Sequence, residues 1–509
     1  MRWREWFRQH DTVGDALGRP IISVLAAHVN NGKVWIDFSG ASGDIPAIDL
    51  ARTEIDVRDK RSIFAFGSIK QLDGIFAGRG HYRLESAVIS RLMWRLMPFL
   101  FLLYIVAYLD RINVSFAVLQ MRGQLGISDR VYGRAAGMFF AGYFLFQLPS
   151  NLVMEKFGVR RWISGLMVTW GVISCLMVFI RGPISFYAMR FLLGAAEAGF
   201  FPGMILYMKH WFPANARARA VAWFMTANPI AGIVGSPISG GLLGLQGKGL
   251  SGWQWMFLIE GIPAILLGIT VAWVLSDAPQ EARWLKGEER EWLLEKLVSE
   301  QRAESVRKQG SAWEVILSPG IWMLSLVYFG VSTTMYGVTL WLPSVIRSLS
   351  GLGYFTTGLV AAIPFLVTAV VMVLVGVHSD KTGERRWHTA IPAFVGAAAL
   401  ALAGYGTSTL VVVTCIGLGL VCAESMVGPF WAMATSRMAG LSAAAGIAVI
   451  NSLANLGGYY GPDIIGLFRT ANGGFRDGLL AIGATVAVSG GMALIVGRQS
   501  ADKRAIRSV

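Results

Sequence analysis

Two short stretches of this sequence place paired charges inside strongly apolar segments. The stretch "RFLLGAAEAGFFPG" holds Arg190 and Glu197, and "YIVAYLDRINVSFA" holds Asp110 next to Arg111. A charged side chain at the centre of a lipid bilayer costs about 2.5 kcal/mol or more, and residues that bear this cost are usually functional. The four charges therefore need partners inside the protein, or a ligand.

The spacing of Arg190 and Glu197 excludes a salt bridge within one helix. Seven residues place two side chains on the same face, about 10 Å apart along the helix axis. Each therefore needs a partner on another helix, and all four charges are predicted to face one polar interior. A guanidinium binds a carboxylate through two parallel hydrogen bonds, and a desolvated carboxyl group loads and releases a proton near neutral pH. This set suits the movement of an anion together with a proton; the alternative is a purely structural charge cluster.

The composition shows which kind of element must position these charges. The chain has 509 residues, 54% hydrophobic and 15% charged, and its mean hydropathy is +0.53. These values are typical of a polytopic membrane protein. The net charge is +14, but the basic residues lie in short runs between apolar segments, where they orient membrane proteins, so nucleic-acid binding is not predicted. Cys175, Cys415 and Cys422 lie inside apolar segments and predict neither a disulfide framework nor a metal site.

Twelve apolar segments are each long enough to cross about 30 Å of hydrocarbon as a helix. They predict an all-α membrane protein with twelve transmembrane helices in two six-helix, pseudo-symmetric halves. The predicted segments lie near 92–119, 131–154, 162–180, 184–207, 219–245, 253–275, 320–347, 353–377, 388–406, 409–433, 441–467 and 477–497.

The longest polar gap divides these segments six and six. It predicts a first bundle at 92–275, a cytoplasmic linker with an amphipathic helix at 276–319, a second bundle at 320–497 and a basic cytoplasmic tail at 498–509. The Lys and Arg clusters of the loops put both termini in the cytoplasm, as expected for a multi-pass protein of the inner (plasma) membrane. Residues 1–91 are polar, with strand-like patterns in "KVWIDF" and "SIFAFGSI". A disordered tail or a start site assigned too far upstream is expected there, rather than a small folded domain.

The sequence resembles the major facilitator superfamily and, within it, the anion:cation symporter family, which includes permeases for tartrate, phthalate, hydroxyphenylacetate and sugar acids. The resemblance covers about residues 92–497 and rests on "YLDRINVSFA", "RFLLGAAEAGFFPGMILYMKHWFP", "ARAVAWFMTANPIAGIVGSPISGGLL" and "GWQWMFLIEGIPA". The loop motif of the superfamily occurs twice, as "NLVMEKFGVRR" at 151–161 and "GVHSDKTGERR" at 376–386. Its recurrence at matching places is the internal repeat expected of this fold.

The resemblance also implies roles for individual residues. Asp110 and Glu197 would be the proton-coupling acids, and Arg111 and Arg190 would bind the substrate anion. Further substrate contacts would come from four residues that have an alternative role in packing or interhelical hydrogen bonding: Tyr143, Asn228, Trp431 and Asn451. In the loop motifs, the residues that would latch and release neighbouring helices are Glu155, Arg160, Arg161, Asp380, Arg385 and Arg386. Gln147 stands where many relatives carry a glutamate, which leaves the proton stoichiometry open.

Together these patterns predict a transporter rather than an enzyme. We expect a monomeric, proton-coupled symporter that imports a small organic anion, such as a hydroxy, sugar or aromatic acid, by alternating access and without a metal or organic cofactor. The alternatives are a proton-linked exporter of the same fold and a membrane sensor that binds a carboxylate without moving it. Two further interior acids, Glu260 and Glu424, are weaker candidates for a role. The closing "GFFPG" at 199–203 predicts a bend beside the site.

Overall fold

The computed structural model describes residues 23–30, 33–39, 53–56, 69–306, 317–436, 438 and 441–507. The chain divides into two contact units, Met1–Ser86 and Ala87–Val509. The first unit contains an antiparallel sheet of three strands in the order β1-β2-β3: β1 Ser23–Asn30, β2 Lys33–Ser39 and β3 Thr53–Asp56. Strand β2 covers "KVWIDF", whereas "SIFAFGSI" lies almost wholly outside the described residues. The tail or late start expected for residues 1–91 stays a prediction.

Helices make up most of the remaining described chain. The helices before the central connection, called the first half, are α1 Ile69–Ile112, α2 Val114–Leu125, α3 Asp129–Phe157, α4 Val159–Leu176, α5 Pro183–Glu197, α6 Phe200–Trp211, α7 Ala214–Met225, α8 Ala227–Leu242 and α9 Gly252–Val274. The central connection contains α10 Gly287–Val306. The second half contains α11 Pro319–Ser350, α12 Tyr354–Thr382, α13 Arg386–Tyr405, α14 Thr409–Ser425, α15 Val427–Thr435, α16 Leu441–Asn472 and α17 Arg476–Arg507. Two short 3₁₀ turns lie at Met177–Phe179 and Pro279–Glu281.

Ten stretches of the described chain are helical, long and apolar enough to cross a membrane. The two remaining predicted spans are the more polar helices α3 and α16, of 29 and 32 residues. These two helices pack on each other. The twelve-helix fold predicted from the sequence is confirmed.

The two halves meet mainly along two helix pairs, α3 with α16 and α8 with α12, and a smaller contact joins α2 to α11. The first pair touches backbone to backbone near the start of α3: a Cβ atom at Gly133 would lie 3.2 Å from the Cα of Gly466 and closer still to the carbonyl oxygen of Pro462. Small residues at such a contact let membrane helices approach closely. We call this end of the bundle, which includes Asp129, Gly133 and Gly466, the closed end.

Charged side chains also join the halves at the closed end. Arg122 of α2 lies 2.6 Å from Asp129 at the start of α3, and Arg469 of α16 lies 3.0 Å from the same carboxylate. A second, longer pair joins Arg134 of α3 to Asp463 of α16 at 3.7 Å. Asp129 therefore holds one arginine from each half, and the halves are fixed together at this end.

Further along α3, the contact between halves becomes polar and then ends in exposed side chains. Asn455 of α16 donates a hydrogen bond of 3.2 Å from its amide nitrogen to the amide oxygen of Gln147. Past this point Leu148, Leu152 and Phe157 of α3 are exposed. Among the described residues, these contacts between α3 and α16 therefore run from the closed end as far as Gln147.

Four membrane-spanning stretches are locally interrupted. The interruptions fall at Asn113, Ala198–Gly199, Thr226 and Met426. The backbone of Asn113, Ala198, Thr226 and Met426 stays in the right-handed helical region, so each site is a kink rather than a break. The second kink opens the "GFFPG" stretch, where the sequence predicted a bend.

The central connection is bound to the first half. Glu289 of α10 lies 2.6 Å from Arg91 of α1, and Glu300 accepts a 2.9 Å hydrogen bond from the backbone N–H of Ala214 at the start of α7. The side chain of Leu293 is fully buried. This helix therefore packs its apolar side against protein.

The close contact at the closed end generates a stability prediction. Gly133→Leu should lower the thermal unfolding midpoint of the purified protein, because overpacking a tight contact costs about 1–3 kcal/mol. Gly123→Leu is the matched control, since a Cβ atom at Gly123 meets no other atom within 4 Å. Equal midpoints for the two variants would contradict the contact between α3 and α16.

Candidate functional site

A buried ion pair joins two of the kinked spans. Arg111 lies in the last turn of α1, and Glu197 is the last residue of α5. Arg111 Nη2 donates to Glu197 Oε2 at 2.9 Å, with the side chains 11% and 1% exposed. The Arg111 guanidinium also lies 5.1 Å from the ring centre of Phe139 and 5.4 Å from that of Tyr143, both on α3. As the spacing predicted, Glu197 pairs with an arginine from another helix and not with Arg190.

Two hydrogen bonds beside this pair cross from the first half to the second. Arg111 Nη1 donates to the hydroxyl of Tyr336 on α11 at 3.2 Å. Asn228 Nδ2 on α8 donates to Glu424 Oε1 on α14 at 3.4 Å. Tyr336, Asn228 and Glu424 are all buried. The site therefore lies where the two halves meet, and both halves supply polar groups to it.

Arg190 is fully buried and lacks a polar partner. Its Nε, Nη1 and Nη2 atoms have no hydrogen-bond partner among the described residues. The guanidinium lies 5.0 Å from the ring centre of Phe139, the same ring that Arg111 contacts. Helix α5 reaches this ring because Gly194, one turn after Arg190, allows close contact with the backbone of Phe139.

The aromatic contact compensates only partly for the burial of the Arg190 charge. A cation over an aromatic ring gains about 0.5–2 kcal/mol, whereas removing one partner of a buried ion pair costs about 3–5 kcal/mol. The ring therefore offsets only part of the cost of burying this charge. Glu197 and Asp110 both lie within electrostatic range of Arg190, but neither donates or accepts a hydrogen bond with it. Five N–H groups on a rigid fork remain available for a carboxylate.

Asp110 has different partners from the two arginines. Its Oδ1 atom accepts hydrogen bonds from Ser174 Oγ at 2.7 Å and from Asn113 Nδ2 at 3.4 Å. Its Oδ2 atom has no partner among the described residues, and the side chain is fully buried. Arg111, Arg190 and Glu197 therefore lie around one site. Asp110 instead accepts its hydrogen bonds from Ser174 and Asn113.

The structure separates the four weaker substrate contacts into two groups. Tyr143 lies under the Arg111 guanidinium, and Asn228 joins Glu424, so both belong to the site. Trp431 on α15 is half-buried, with its ring 5.1 Å from that of Tyr328. Asn451 on α16 is also half-buried and makes no hydrogen bond among the described residues. The roles of all four stay predictions.

The two loop motifs contain ion pairs of different kinds. Gly158 and Gly383, the predicted turn residues, both have positive φ, at 86° and 67°. Arg160 pairs with Asp277 at 3.4 Å and also donates its backbone N–H to that carboxylate at 2.8 Å. Arg385 pairs with Asp380 inside its own loop at 2.6 Å. The first motif is therefore tied to the start of the central connection.

The remaining motif residues have fewer contacts. Glu155 and Arg161 are exposed, and Glu155 makes no ion pair in the described part of the chain. Arg386 lies 5.3 Å from the ring centre of Trp387. A latching function for the six motif residues stays a prediction.

Sequence reasoning did not find every residue of the site. Phe139, which contacts both arginines, lies one turn before Tyr143, and this spacing on α3 was the available signal. Tyr336 is 225 residues from Arg111, and Ser174 is 64 residues from Asp110. No spacing rule connects residues on different helices, so these contacts needed the structure.

Comparisons with known proteins identify the family of this chain. The profile of the Major Facilitator Superfamily matches residues 100–462. A putative tartrate transporter from Agrobacterium vitis is 45% identical over 421 residues, which cover 82% of this chain and 93% of the relative. The quinolone resistance transporter of Acinetobacter baumannii is 38% identical over 396 residues, covering 78% and 91%.

A solved structure supports the fold. It is the crystal structure of a bacterial homolog to the human lysosomal transporter Spinster, in an inward-facing and occupied conformation. The TM-score is 0.66 with 16% sequence identity, and the match covers 80% of this chain and 97% of that chain. At this identity the likeness concerns the fold alone.

The buried ion pair generates a second stability prediction. Glu197→Leu should destabilise the protein by about 3–5 kcal/mol, because it leaves the buried Arg111 charge unpaired. The double variant Arg111→Met with Glu197→Leu should recover much of this loss, since neither charge then remains. Thermal unfolding of the single and double variants measures the coupling. Strictly additive losses would show that the two residues do not act as a pair.

Proposed function

Because this chain belongs to the major facilitator superfamily, we propose that it imports a small organic anion together with one or more protons across the inner membrane. That it is a multi-pass membrane transporter and not an enzyme follows from the family. The cargo, the direction and the proton coupling are the proposal. The observation that carries it is the buried Arg190 guanidinium without a hydrogen-bond partner among the described residues.

A carboxylate is the ligand that suits Arg190 best. Its two oxygens match the planar fork of the guanidinium, and its negative charge neutralises a cation that has no hydrogen-bond partner among the described residues. The unpartnered amide oxygen of Asn228 would accept a hydrogen bond from a hydroxyl group of the cargo. These features favour a hydroxy or sugar acid, in agreement with the name of the putative tartrate transporter from Agrobacterium vitis.

The Arg111–Glu197 pair supplies a way to couple the proton. Arg111 is buried and needs one anionic partner. While Glu197 is ionised, it fills this role at 2.9 Å. When Glu197 binds a proton, Arg111 becomes free to bind a carboxylate of the cargo. Proton and anion therefore enter the site together. Protonation of Glu197 alone would leave the buried Arg111 charge unpaired, and binding of the anion alone would place it beside the ionised Glu197. Asp110, buried with a free carboxyl oxygen, is the second proposed proton-coupling acid.

Alternating access would act on the contacts between halves. The hydrogen bonds from Arg111 to Tyr336 and from Asn228 to Glu424 join the halves at the site, while Asp129 joins them at the closed end. When one half rocks against the other, the contacts between the halves at one end of the bundle open, and contacts at the other end form. With both termini in the cytoplasm, the closed end would face outward, and the described state would be open to the cytoplasm.

An exporter of the same fold is the second candidate. The name of the quinolone resistance transporter from Acinetobacter baumannii favours it. The two functions differ in the gradient that drives net flux: an importer accumulates its cargo down an inward proton gradient, whereas a proton-linked exporter expels cargo as protons enter. Transport measured in proteoliposomes that hold the protein in one known orientation distinguishes an importer from an exporter.

Removal of the Arg190 guanidinium tests the anion site. We expect Arg190→Ala to weaken carboxylate binding at least about tenfold, since charge-assisted hydrogen bonds contribute about 1.5–3 kcal/mol each. Calorimetric titration of the purified protein with tartrate and related hydroxy acids gives the measurement. Arg95→Ala is the matched control because Arg95 is exposed on α1. Unchanged binding in Arg190→Ala would exclude Arg190 from the site.

A neutral side chain at Glu197 tests the coupling. Glu197→Gln imitates the protonated acid, so Arg111 should stay available to the cargo without a proton. Proton-driven accumulation in proteoliposomes should fall to the level set by equilibration, while exchange of labelled for unlabelled cargo continues. Glu291→Gln, at an exposed position on α10, should leave both unchanged. Equal loss of accumulation and exchange in Glu197→Gln would argue against coupling through this acid.

A further inference from the structure

The ring of Phe139 on α3 is shared by the two arginines of the site. Its centre lies 5.1 Å from the Arg111 guanidinium and 5.0 Å from that of Arg190. Arg111 also contacts Glu197 at 2.9 Å and Tyr336 at 3.2 Å. Arg190 has no hydrogen-bond partner among the described residues. The ring therefore adds to the hydrogen bonds of Arg111 and stands in their place for Arg190.

Tight packing between α3 and α5 fixes the position of this ring. Phe139 is fully buried, and a Cβ atom at Gly194 on α5 would lie 3.0 Å from its Cα atom. On α3 itself, the rings of Phe140 and Tyr143 lie 5.2 Å and 6.1 Å from the Phe139 ring. The ring is therefore enclosed on several sides, and Arg190, one turn before Gly194, meets it from α5.

The contact between Phe139 and Arg190 lies within the first half of the bundle. When one half rocks against the other, contacts inside a half persist, whereas contacts between the halves change. The hydrogen bond from Arg111 to Tyr336 crosses between the halves, so rocking affects it. The ring can remain beside the Arg190 guanidinium in every orientation of the carrier.

A symporter must also return without its cargo. In the loaded carrier a carboxylate neutralises Arg190, but in the unloaded carrier the charge has to be stabilised by the protein itself. A buried charge without a partner is strongly unfavourable. The face of an aromatic ring attracts a guanidinium through its quadrupole. It accepts no ion pair, so the N–H groups of Arg190 stay available for the next anion.

We propose that Phe139 is a positioning residue for transport: its ring holds the Arg190 guanidinium while no anion is bound, and this contact lets the unloaded carrier reorient. The inference rests on the proposed symport. An acid in the place of the ring would pair with Arg190 and compete with the carboxylate of the cargo. A ring lowers the cost of the buried charge without that competition.

Fluorination of the Phe139 ring tests this role in proteoliposomes, because fluorine withdraws charge from the ring face and changes the shape of the ring little. Phenylalanines with one, two or three ring fluorines are incorporated at position 139. Net tartrate uptake into tartrate-free vesicles requires the unloaded carrier to return. It should slow stepwise, by about two- to thirtyfold in total, the factor that corresponds to one cation–π contact. Exchange with saturating tartrate on both sides avoids this return and should keep its rate.

Phe257 on α9 provides the matched control. Its side chain is also fully buried, and no Lys or Arg lies over its ring in the described part of the chain. The same fluorinated residues at position 257 should leave net uptake and exchange unchanged. Equal slowing of uptake and exchange by fluorination at position 139, or no slowing of uptake, would overturn the role in the return step.

Thermal unfolding tests the contact without any transport. Fluorination at position 139 should lower the unfolding midpoint of the protein without tartrate, and the loss should be smaller in an Arg190→Met background, where the cation is gone. Equal losses in both backgrounds would show that the ring does not stabilise Arg190 and would overturn the proposal. If the unmodified protein moves no tartrate, the symport proposal fails. The unfolding result then decides whether the ring stabilises Arg190.

Discussion

The buried guanidinium of Arg190 imposes the main constraint on this molecule. It is fully enclosed by protein, and the described residues give it one aromatic ring and no hydrogen-bond acceptor. The neighbouring Arg111 shows the usual solution, an acid at 2.9 Å and a hydroxyl at 3.2 Å. Both buried arginines contact the Phe139 ring, but Glu197 is hydrogen-bonded to Arg111 alone, so Arg190 has no hydrogen-bonded anion among the described residues. In the proposed function, a transported carboxylate supplies the negative charge that Arg190 lacks.

Kinks and close contacts of the helices bring the charged side chains of the site together. Arg111 lies just before the kink at Asn113, and Glu197 lies at the kink of the fourth span. Membrane helices that are interrupted in this way commonly carry the binding sites of transporters. The bonds from Arg111 to Tyr336 and from Asn228 to Glu424 bring polar groups of both halves to the candidate site.

Much of the fold and part of the candidate site can be predicted from the amino-acid sequence. Hydrophobic length alone predicts twelve spans, because the bilayer has a fixed thickness and leaves few alternatives to a helix. The separation of Arg190 from Glu197 correctly predicted that Glu197 pairs with another helix, since it depends only on helix geometry, whereas Arg190 has no hydrogen-bond partner among the described residues. The spacing could not show that Glu197 pairs with Arg111 while Arg190 stays unpaired. It also could not show that Arg160 pairs with Asp277, because the packing of helices distant in sequence decides such contacts.

The central claim is that a carboxylate and a proton enter this protein together. The most direct test is to add tartrate to the outside of proteoliposomes that contain the purified protein and a pH-sensitive dye. The pH is equal on both sides of the membrane at the start. The account predicts acidification of the interior that begins with tartrate addition, depends on its concentration and is absent with Arg190→Ala. Tartrate entry without acidification, or acidification that persists in Arg190→Ala, would contradict it.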